Sequence, residues 1–319
     1  MTNFLPMRVG DIQRIADTVV AITLQGEHGG ALPAYEPGAH VDIRLPNGLV
    51  RSYSLTAPYD RAHPYAIAVH RDRASRGGSA CIHDQLQAGD KVDVSPPRNL
   101  FPLAPGAHAS VLIAGGIGVT PLYCMARQLA AQGRPWHLAY AARSRGAAAF
   151  ASALQALAGQ ARARLTLHFD DEAAGGVLDI EGLIREAPAG THFYCCGPRP
   201  MLDAYLAACA CLPGDQVHYE RFGGETATVP GDEFDIELAR SGKTLRVKPG
   251  QTILDALLDA GVEVEYSCMQ GICGSCVTSV LDGEPDHRDA FLSPGERAAG
   301  DRIMVCCSRS HGARLVLDR

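Results

Sequence analysis

Polar and apolar residues alternate through much of the first hundred positions. In His40-Val41-Asp42-Ile43-Arg44-Leu45 the alternation puts Val41, Ile43 and Leu45 on one face of a strand. Pro46-Asn47-Gly48 turns the chain and residues 49–55 return it, and Asn-Gly between two such runs signals a hairpin. Short strands with regular turns predict a small antiparallel barrel. From residue 104 the pattern changes. Val111-Leu112-Ile113-Ala114 is a short apolar run that ends in glycines. Leu122, Met125 and Leu129 then recur at helical spacing, with Thr120 suited to the N-cap, Pro121 to the first helical position and Gly133 to the stop. Residues 136–142, 164–169 and 191–196 are further strand candidates. Strands alternating with helices predict a parallel sheet. Residues 223–231 (GGETATVPG) are polar and marked by Gly and Pro, as a linker is. Beyond them Phe234, Ile236 and Leu238 alternate, Ser241-Gly242-Lys243 turns, and Leu245 and Val247 return. Thr252 and Asp255 form a capping box before Ile253, Leu254, Leu257 and Leu258, and Gly261 ends that helix.

At 319 residues the chain has room for two or three domains. The spans are 1–103 (barrel), 104–223 (parallel sheet), 224–232 (linker) and 233–319 (a third small module). Formal charge is −6, which argues against a nucleic-acid partner. Residues 103–126 carry no charge. Their glycines and Pro121 read as strand, loop and helix, and no membrane span is expected. The N-terminus lacks the basic start and apolar run of an export signal, so a cytoplasmic protein is expected. Five of the eleven cysteines fall between positions 268 and 307. Clustered cysteines in a chain without an export signal point to metal or redox chemistry.

Cys268, Cys273 and Cys276 have the spacing C-x4-C-x2-C, and Cys306 comes further on. That is the plant-type [2Fe–2S] spacing. Gly271 and Gly274 permit the tight turns that bring three thiolates to one cluster. Zinc is the competing metal, but the spacing fits paired C-x2-C knuckles poorly. Cys306 and Cys307 are adjacent, and on a strand they would face opposite ways, so only one should ligate. The spacing barely separates them. Cys81, Cys124, Cys209 and Cys211 read as ordinary buried or half-buried residues.

Three shorter strings add a second kind of chemistry. Arg51-Ser52-Tyr53-Ser54-Leu55 lies on the return strand of the hairpin, where an arginine can pair with a phosphate and a tyrosine two residues on can stack on a flat ring. Arg76-Gly77-Gly78-Ser79 precedes a short helix whose start can hold an anion. Each string is weak by itself. Gly115-Gly116-Ile117-Gly118-Val119-Thr120-Pro121 joins strand to helix, and glycines there let the backbone approach a pyrophosphate. Cys196-Gly197-Pro198-Arg199-Pro200-Met201 ends a later strand in another such turn.

The order of these strings, R-x-Y-S-L, then G-G-x-G-x-T-P, then C-G-P-x-x-M, resembles the ferredoxin–NADP reductase superfamily. With a plant-type cluster module after it, the chain from about Arg8 onward resembles the phthalate dioxygenase reductase family, which includes vanillate demethylase reductases. Residues 96–103 (PPRNLFPL), 218–223 (HYERFG) and 286–289 (DHRD) match as well. The resemblance implies a multidomain fold: an antiparallel flavin barrel, an α/β parallel-sheet nucleotide domain and a β-grasp plant-type ferredoxin domain. It implies FMN, with Arg51, Arg76, Gly77, Gly78 and Ser79 at its phosphate, Ser52 and Tyr53 beside it, Ser54 near the N5 edge and Phe222 over the ring. A single R-G-G-S cradle without an adenine platform also favours FMN over FAD. It implies a nicotinamide dinucleotide held by Gly115, Gly116, Gly118, Thr120, Arg143, Ser144, Gly197 and Pro198, with Cys196 near the nicotinamide. Ser54, Cys196 and Phe222 are then the catalytic set. The pattern V-C-x-S-R selects Cys306 as fourth cluster ligand beside Cys268, Cys273 and Cys276.

The resemblance thus implies an oxidoreductase that takes a hydride from NADH and passes single electrons to a Rieske-type oxygenase acting on an aromatic or similar substrate. It would work as a monomer. Arg143 and Arg145 could accept a 2′-phosphate, which keeps NADPH open. The rival readings are a flavin and iron–sulfur redox sensor without turnover, and a self-contained monooxygenase. No H-E-x-x-H, no 2-His-1-carboxylate spacing and no Rieske C-x-H pairs support the latter.

Overall fold

The computed structural model describes all residues except 1–3, 28, 30, 74–76, 160–161, 174–175, 223–230, 267–270, 272–273, 290 and the side chain of 294. The chain forms two compact units, Asn3–Phe222 and Gly223–Arg319. Arg76, Cys268, Cys273 and most of the expected linker lie outside the described residues.

The first unit opens with an antiparallel sheet. In space its strands run Val50–Ser54, Ala39–Arg44, Lys91–Val94, Leu5–Ala16, Val19–Gly26 and Tyr65–His70. A bridge from Leu55 to Ile67 joins the two ends and closes the barrel, which removes the free edges of an open sheet. Alternate residues such as Met7, Val9, Ile22, Leu24, Val41, Ile43 and Val92 fill it. The expected one-sided burial of Ala39–Arg44 needs correction, because His40 and Asp42 are buried too. Asp42 can be buried because distant polar groups meet it. Its N–H donates to Ser95 Oγ at 2.9 Å, and its carboxylate accepts from Ser52 Oγ at 2.6 Å and from Arg98.

The second half of this unit is a five-stranded parallel sheet. The spatial order is Ala163–Phe169, Trp136–Ala142, Ala109–Gly115, Thr191–Cys196, Val217–Glu220. Val119–Ala131 and Ala151–Ala158 cover one face, Ile180–Arg185 and Arg199–Ala208 the other. The central strands are mostly apolar because both faces are covered. The first helix begins at Val119, not after Thr120. Gly116 adopts φ +52°, which allows a tight 3₁₀ turn over Gly116–Gly118 to start the helix early. Pro121 still lies in the first turn, where its missing N–H costs nothing. Gly133, at φ +64°, comes after the helix end as expected. Ala104 N donates to Tyr194 Oη at 2.8 Å, and Asp17 N to Gly146 O at 2.9 Å, fastening barrel to sheet.

The second unit has a five-stranded mixed sheet, ordered Lys243–Val247, Phe234–Leu238, Arg314–Leu317, Val277–Asp282, Arg302–Met304. Phe234–Leu238 pairs antiparallel with its hairpin partner and parallel with the last strand, the β-grasp arrangement. Helix Ile253–Asp259 carries the expected capping box and buries Ile253, Leu254, Ala256 and Leu257. Cys306 and Cys307 lie in a turn between Arg302–Met304 and Arg309–Ser310, not on a strand. The alternation argument for their orientation therefore fails, although their environments do differ.

Candidate functional site

In the barrel the structure brings two weak strings together. Arg51 and Tyr53 share a face of Val50–Ser54, and Gly78 opens the helix Gly78–Asp84. A Cβ on Gly78 would stand 2.8 Å from Arg51 Cγ and Nε, so only glycine lets the arginine lie across the helix start. Gly77 turns the chain with φ +88°, and Asn47 Nδ2 donates to its carbonyl at 3.1 Å. Burial raises the Tyr53 hydroxyl above its ordinary pKa, and nearby Arg51 offsets only part of that. The ring is therefore neutral. A guanidinium beside a glycine helix start, with an aromatic two residues along, fits a flavin with one phosphate. Ser54 is buried at the end of the strand. The Ser52 hydroxyl donates to Asp42 Oδ1 at 2.6 Å, and Ser79 Oγ accepts from Asp72 N at 3.2 Å.

The nucleotide turns meet where the sheet reverses its strand order. Ala109–Gly115 and Thr191–Cys196 are neighbours, and the chain leaves them toward opposite edges. Ligands of open α/β sheets bind at this switch point, outside the carboxyl ends of the strands. Here the two turns interlock. A Cβ on Gly115 would strike Pro198 Cδ at 2.5 Å, and one on Gly197 would strike Met201 Sδ at 2.6 Å. One on Gly118 would come 2.2 Å from the Cys196 carbonyl. Gly118 has an ordinary φ of −60°, so this clash alone requires glycine. Gly118→Ala is expected to cost about 1–3 kcal/mol in stability and to raise the KM for NADH. Thermal melting and steady-state kinetics check both, and an unchanged KM would separate this turn from the nucleotide.

Thr120 is buried with its hydroxyl on Ile117 O at 3.0 Å. It shapes the turn. Cys196 is wholly buried, and its thiol is pushed well above the usual range by burial and by Glu220 beside it. Burial thus favours the neutral thiol. Phe222 lies just past the edge strand and keeps more than a third of its surface exposed (38%). Arg143 is exposed, and Ser144 Oγ accepts from Ala147 N at 3.3 Å.

Glu220 is not legible as a site residue in the sequence. It pairs in register with Cys196 across two parallel strands. Its Oε2 is sealed from solvent with no hydrogen-bond partner among the described residues, and burial pushes its pKa up to about 8.

In the second unit Cys276 and Cys306 are both buried. Gly271, at φ +70°, donates its N–H to Cys306 Sγ at 3.3 Å. An amide aimed at a buried sulfur suits a thiolate that carries part of a cluster's charge. Cys307 is half-buried, its Sγ near Met304 O at 3.8 Å and Ser308 Oγ at 3.7 Å. Of the other cysteines, Cys81, Cys124 and Cys209 are buried as expected, but Cys211 is exposed.

Residues 236–311 match the 2Fe-2S iron-sulfur cluster binding domain, and residues 112–206 the oxidoreductase NAD-binding domain. A solved phthalate dioxygenase reductase, titled a modular structure for electron transfer from pyridine nucleotides to [2Fe–2S], superposes with a TM-score of 0.82. It is 38% identical, and the match covers 99% of this chain and 98% of that one. The chain belongs to the phthalate dioxygenase reductase family. Within curated relatives, it is 45% identical to a tetrachlorobenzoquinone reductase of Sphingobium chlorophenolicum over all of both chains. It is 47% identical to a phenoxybenzoate dioxygenase subunit beta of Ectopseudomonas oleovorans, covering 98% of this chain and 96% of that one. Members of the family are oxidoreductases with FMN, NADH and [2Fe–2S] dependence. Among the described residues no helix is long and apolar enough to cross a membrane.

Proposed function

We propose that this chain is the reductase component of a Rieske-type oxygenase or demethylase system, acting as a cytoplasmic monomer. The interlocked glycine turns carry the reading, because they sit at the switch point in the same compact unit as the Arg51–Gly78 cradle. Arg51 and the Gly77–Gly78 backbone would hold the FMN phosphate, with Tyr53, Ser54 and Phe222 as the residues that would meet its ring. The Gly116–Gly118 backbone, with Gly115, Gly197 and Pro198 packed behind it, receives the dinucleotide pyrophosphate. Cys196 and Glu220 form the floor of the nicotinamide end. Cys268, Cys273, Cys276 and Cys306 hold the cluster. Held there, FMN would supply the conversion between a two-electron donor, NADH, and a one-electron cluster.

The proposed spans are 1–103 for the barrel, 104–223 for the nucleotide domain and 233–319 for the ferredoxin domain. A chain ending at Gly231 is then expected to release FMN on acid treatment and to oxidise NADH with ferricyanide, while failing to reduce cytochrome c at the full-length rate. A dominant FAD peak would replace the flavin assignment. Absence of NADH oxidation in the full-length protein would favour a redox sensor. The full-length match to a tetrachlorobenzoquinone reductase favours a second acceptor, a halogenated quinone. Assay of that quinone against an oxygenase component separates the two.

A further inference from the structure

The proposed function leaves one buried charge unused. Arg309 follows Cys306 by three residues and is only 1% exposed. An arginine is almost never fully buried unless it is paired. This one is met by carbonyls. Its Nη1 donates to Gln251 O at 2.7 Å and its Nη2 to Asp232 O at 2.9 Å, and the guanidinium lies 4.9 Å over the Phe234 ring. The Asp286 carboxylate is taken by Arg288, whose Nε donates to its Oδ2 at 2.7 Å. Burial lowers the Arg309 pKa, but an arginine keeps its proton inside a protein, so the charge stays. The two carbonyls lie at different points of the second unit. Asp232 closes the expected linker, and a Cβ on Gly231 would stand 3.0 Å from Arg309 Nε. Gln251 precedes the capping box of helix Ile253–Asp259, and Leu254 N of that helix donates to Val305 O at 2.8 Å. The turn that carries Cys306 is thus tied to one helix start from both sides, by Val305 before it and Arg309 after it.

We propose that Arg309 is a positioning residue for the [2Fe–2S] cluster: it fixes the turn that presents Cys306, and its buried charge favours the reduced cluster. The inference rests on the reading of Cys306 as a ligand. Reduction adds one negative charge to the cluster. A cation held in a poorly polarisable core attracts that charge more strongly than one in water. Local charge and burial are among the terms that set cluster potentials, so removing this cation lowers the potential. Lysine can carry the charge but not the planar fork that spans two carbonyls.

EPR-monitored redox titration of the full-length protein tests this. In Arg309→Gln the one-electron equilibrium of the cluster is expected to shift at least tenfold toward the oxidised form, a potential about 59 mV lower. In Arg309→Lys the shift should stay under roughly threefold, because the charge remains. Loss of the cluster to a chelator, followed by visible absorbance, should be several-fold faster in both variants, because both loosen the turn. Flavin bleaching by NADH should match wild type in both, since its residues belong to the other compact unit. An unshifted potential in Arg309→Gln, or equal shifts in the two variants, would overturn the proposal. So would cluster loss at the wild-type rate in both. If Arg309→Gln failed to hold its cluster, Arg309→Lys would decide. A near-native potential there would support the role of the charge, and loss of the cluster there too would overturn it. If Cys306→Ser kept the EPR signal, the ligand reading itself would fail, a different result from a potential that does not move.

Discussion

Replacing Cys306 with serine is expected to abolish the [2Fe–2S] EPR signal of the dithionite-reduced protein, while Cys307→Ser retains it. The two residues are neighbours in one turn, so chain position cannot separate them, but their surroundings do. Cys306 is buried beside Cys276 in the core of its unit and receives the Gly271 amide. A serine hydroxyl there is a harder, poorer ligand for iron than a thiolate. Cys307 is partly open to solvent, and its sulfur rests near the Met304 carbonyl and the Ser308 hydroxyl. Serine can repeat both contacts. Gly271 also binds the two residues into one geometry, since a Cβ there would strike Cys307 Sγ at 2.5 Å. Flavin bleaching by NADH in stopped flow should survive both substitutions, because the flavin and nucleotide residues belong to the other compact unit. Loss of the signal in Cys307→Ser with retention in Cys306→Ser would reverse the assignment. Loss of flavin bleaching in both would undo the separation of the two chemistries.

Elements governed by local patterns are the ones legible in the sequence. The strands Trp136–Ala142 and Thr191–Cys196 end where their apolar runs end, because helices cover both faces of that sheet. The Thr252–Asp255 box needs only residues three apart, and the structure has both of its bonds. A second box, Ser293 with Glu296, carries the same kind of local signal before helix Pro294–Ala299. Expectations fail where a distant group decides the outcome. Asp42 reads as the wet face of a strand until Ser95 and Arg98 reach it from elsewhere in the barrel. The helix after Gly118 starts early because of a positive φ two residues before, which residue preferences at Thr120 and Pro121 do not reveal. Glu220 looks like an ordinary strand-end carboxylate. Only the register with Cys196 and the sealing of Oε2 distinguish it.

Glu220→Gln is expected to flatten the pH dependence of stability in the first unit. The residue as a whole is partly exposed, but ionisation is governed by the carboxyl, and its Oε2 has neither solvent nor a partner among the described residues. Burial moves its pKa from 4.5 to about 8. Between those values the folded chain keeps a proton that the unfolded chain has lost, so stability falls as pH rises through the window and levels off above it. At about 1.4 kcal/mol per unit, less the relief from water reaching the partly exposed side, the loss is on the order of 3 kcal/mol. Glutamine keeps an N–H donor in the same place and cannot ionise. The variant should match wild type near pH 4.5 and exceed it by that amount at pH 8, read from urea midpoints across the range. The same group borders Cys196, at the end of the sheet proposed for the nicotinamide. There the protonated carboxyl offers an O–H donor that the carboxylate lacks. Flavin reduction by NADH should therefore slow above about pH 8 in wild type and stay level in Glu220→Gln. Parallel pH profiles for the two proteins, in both stability and flavin reduction, would show that Glu220 is already ionised in the folded chain and would remove it from the floor of the site.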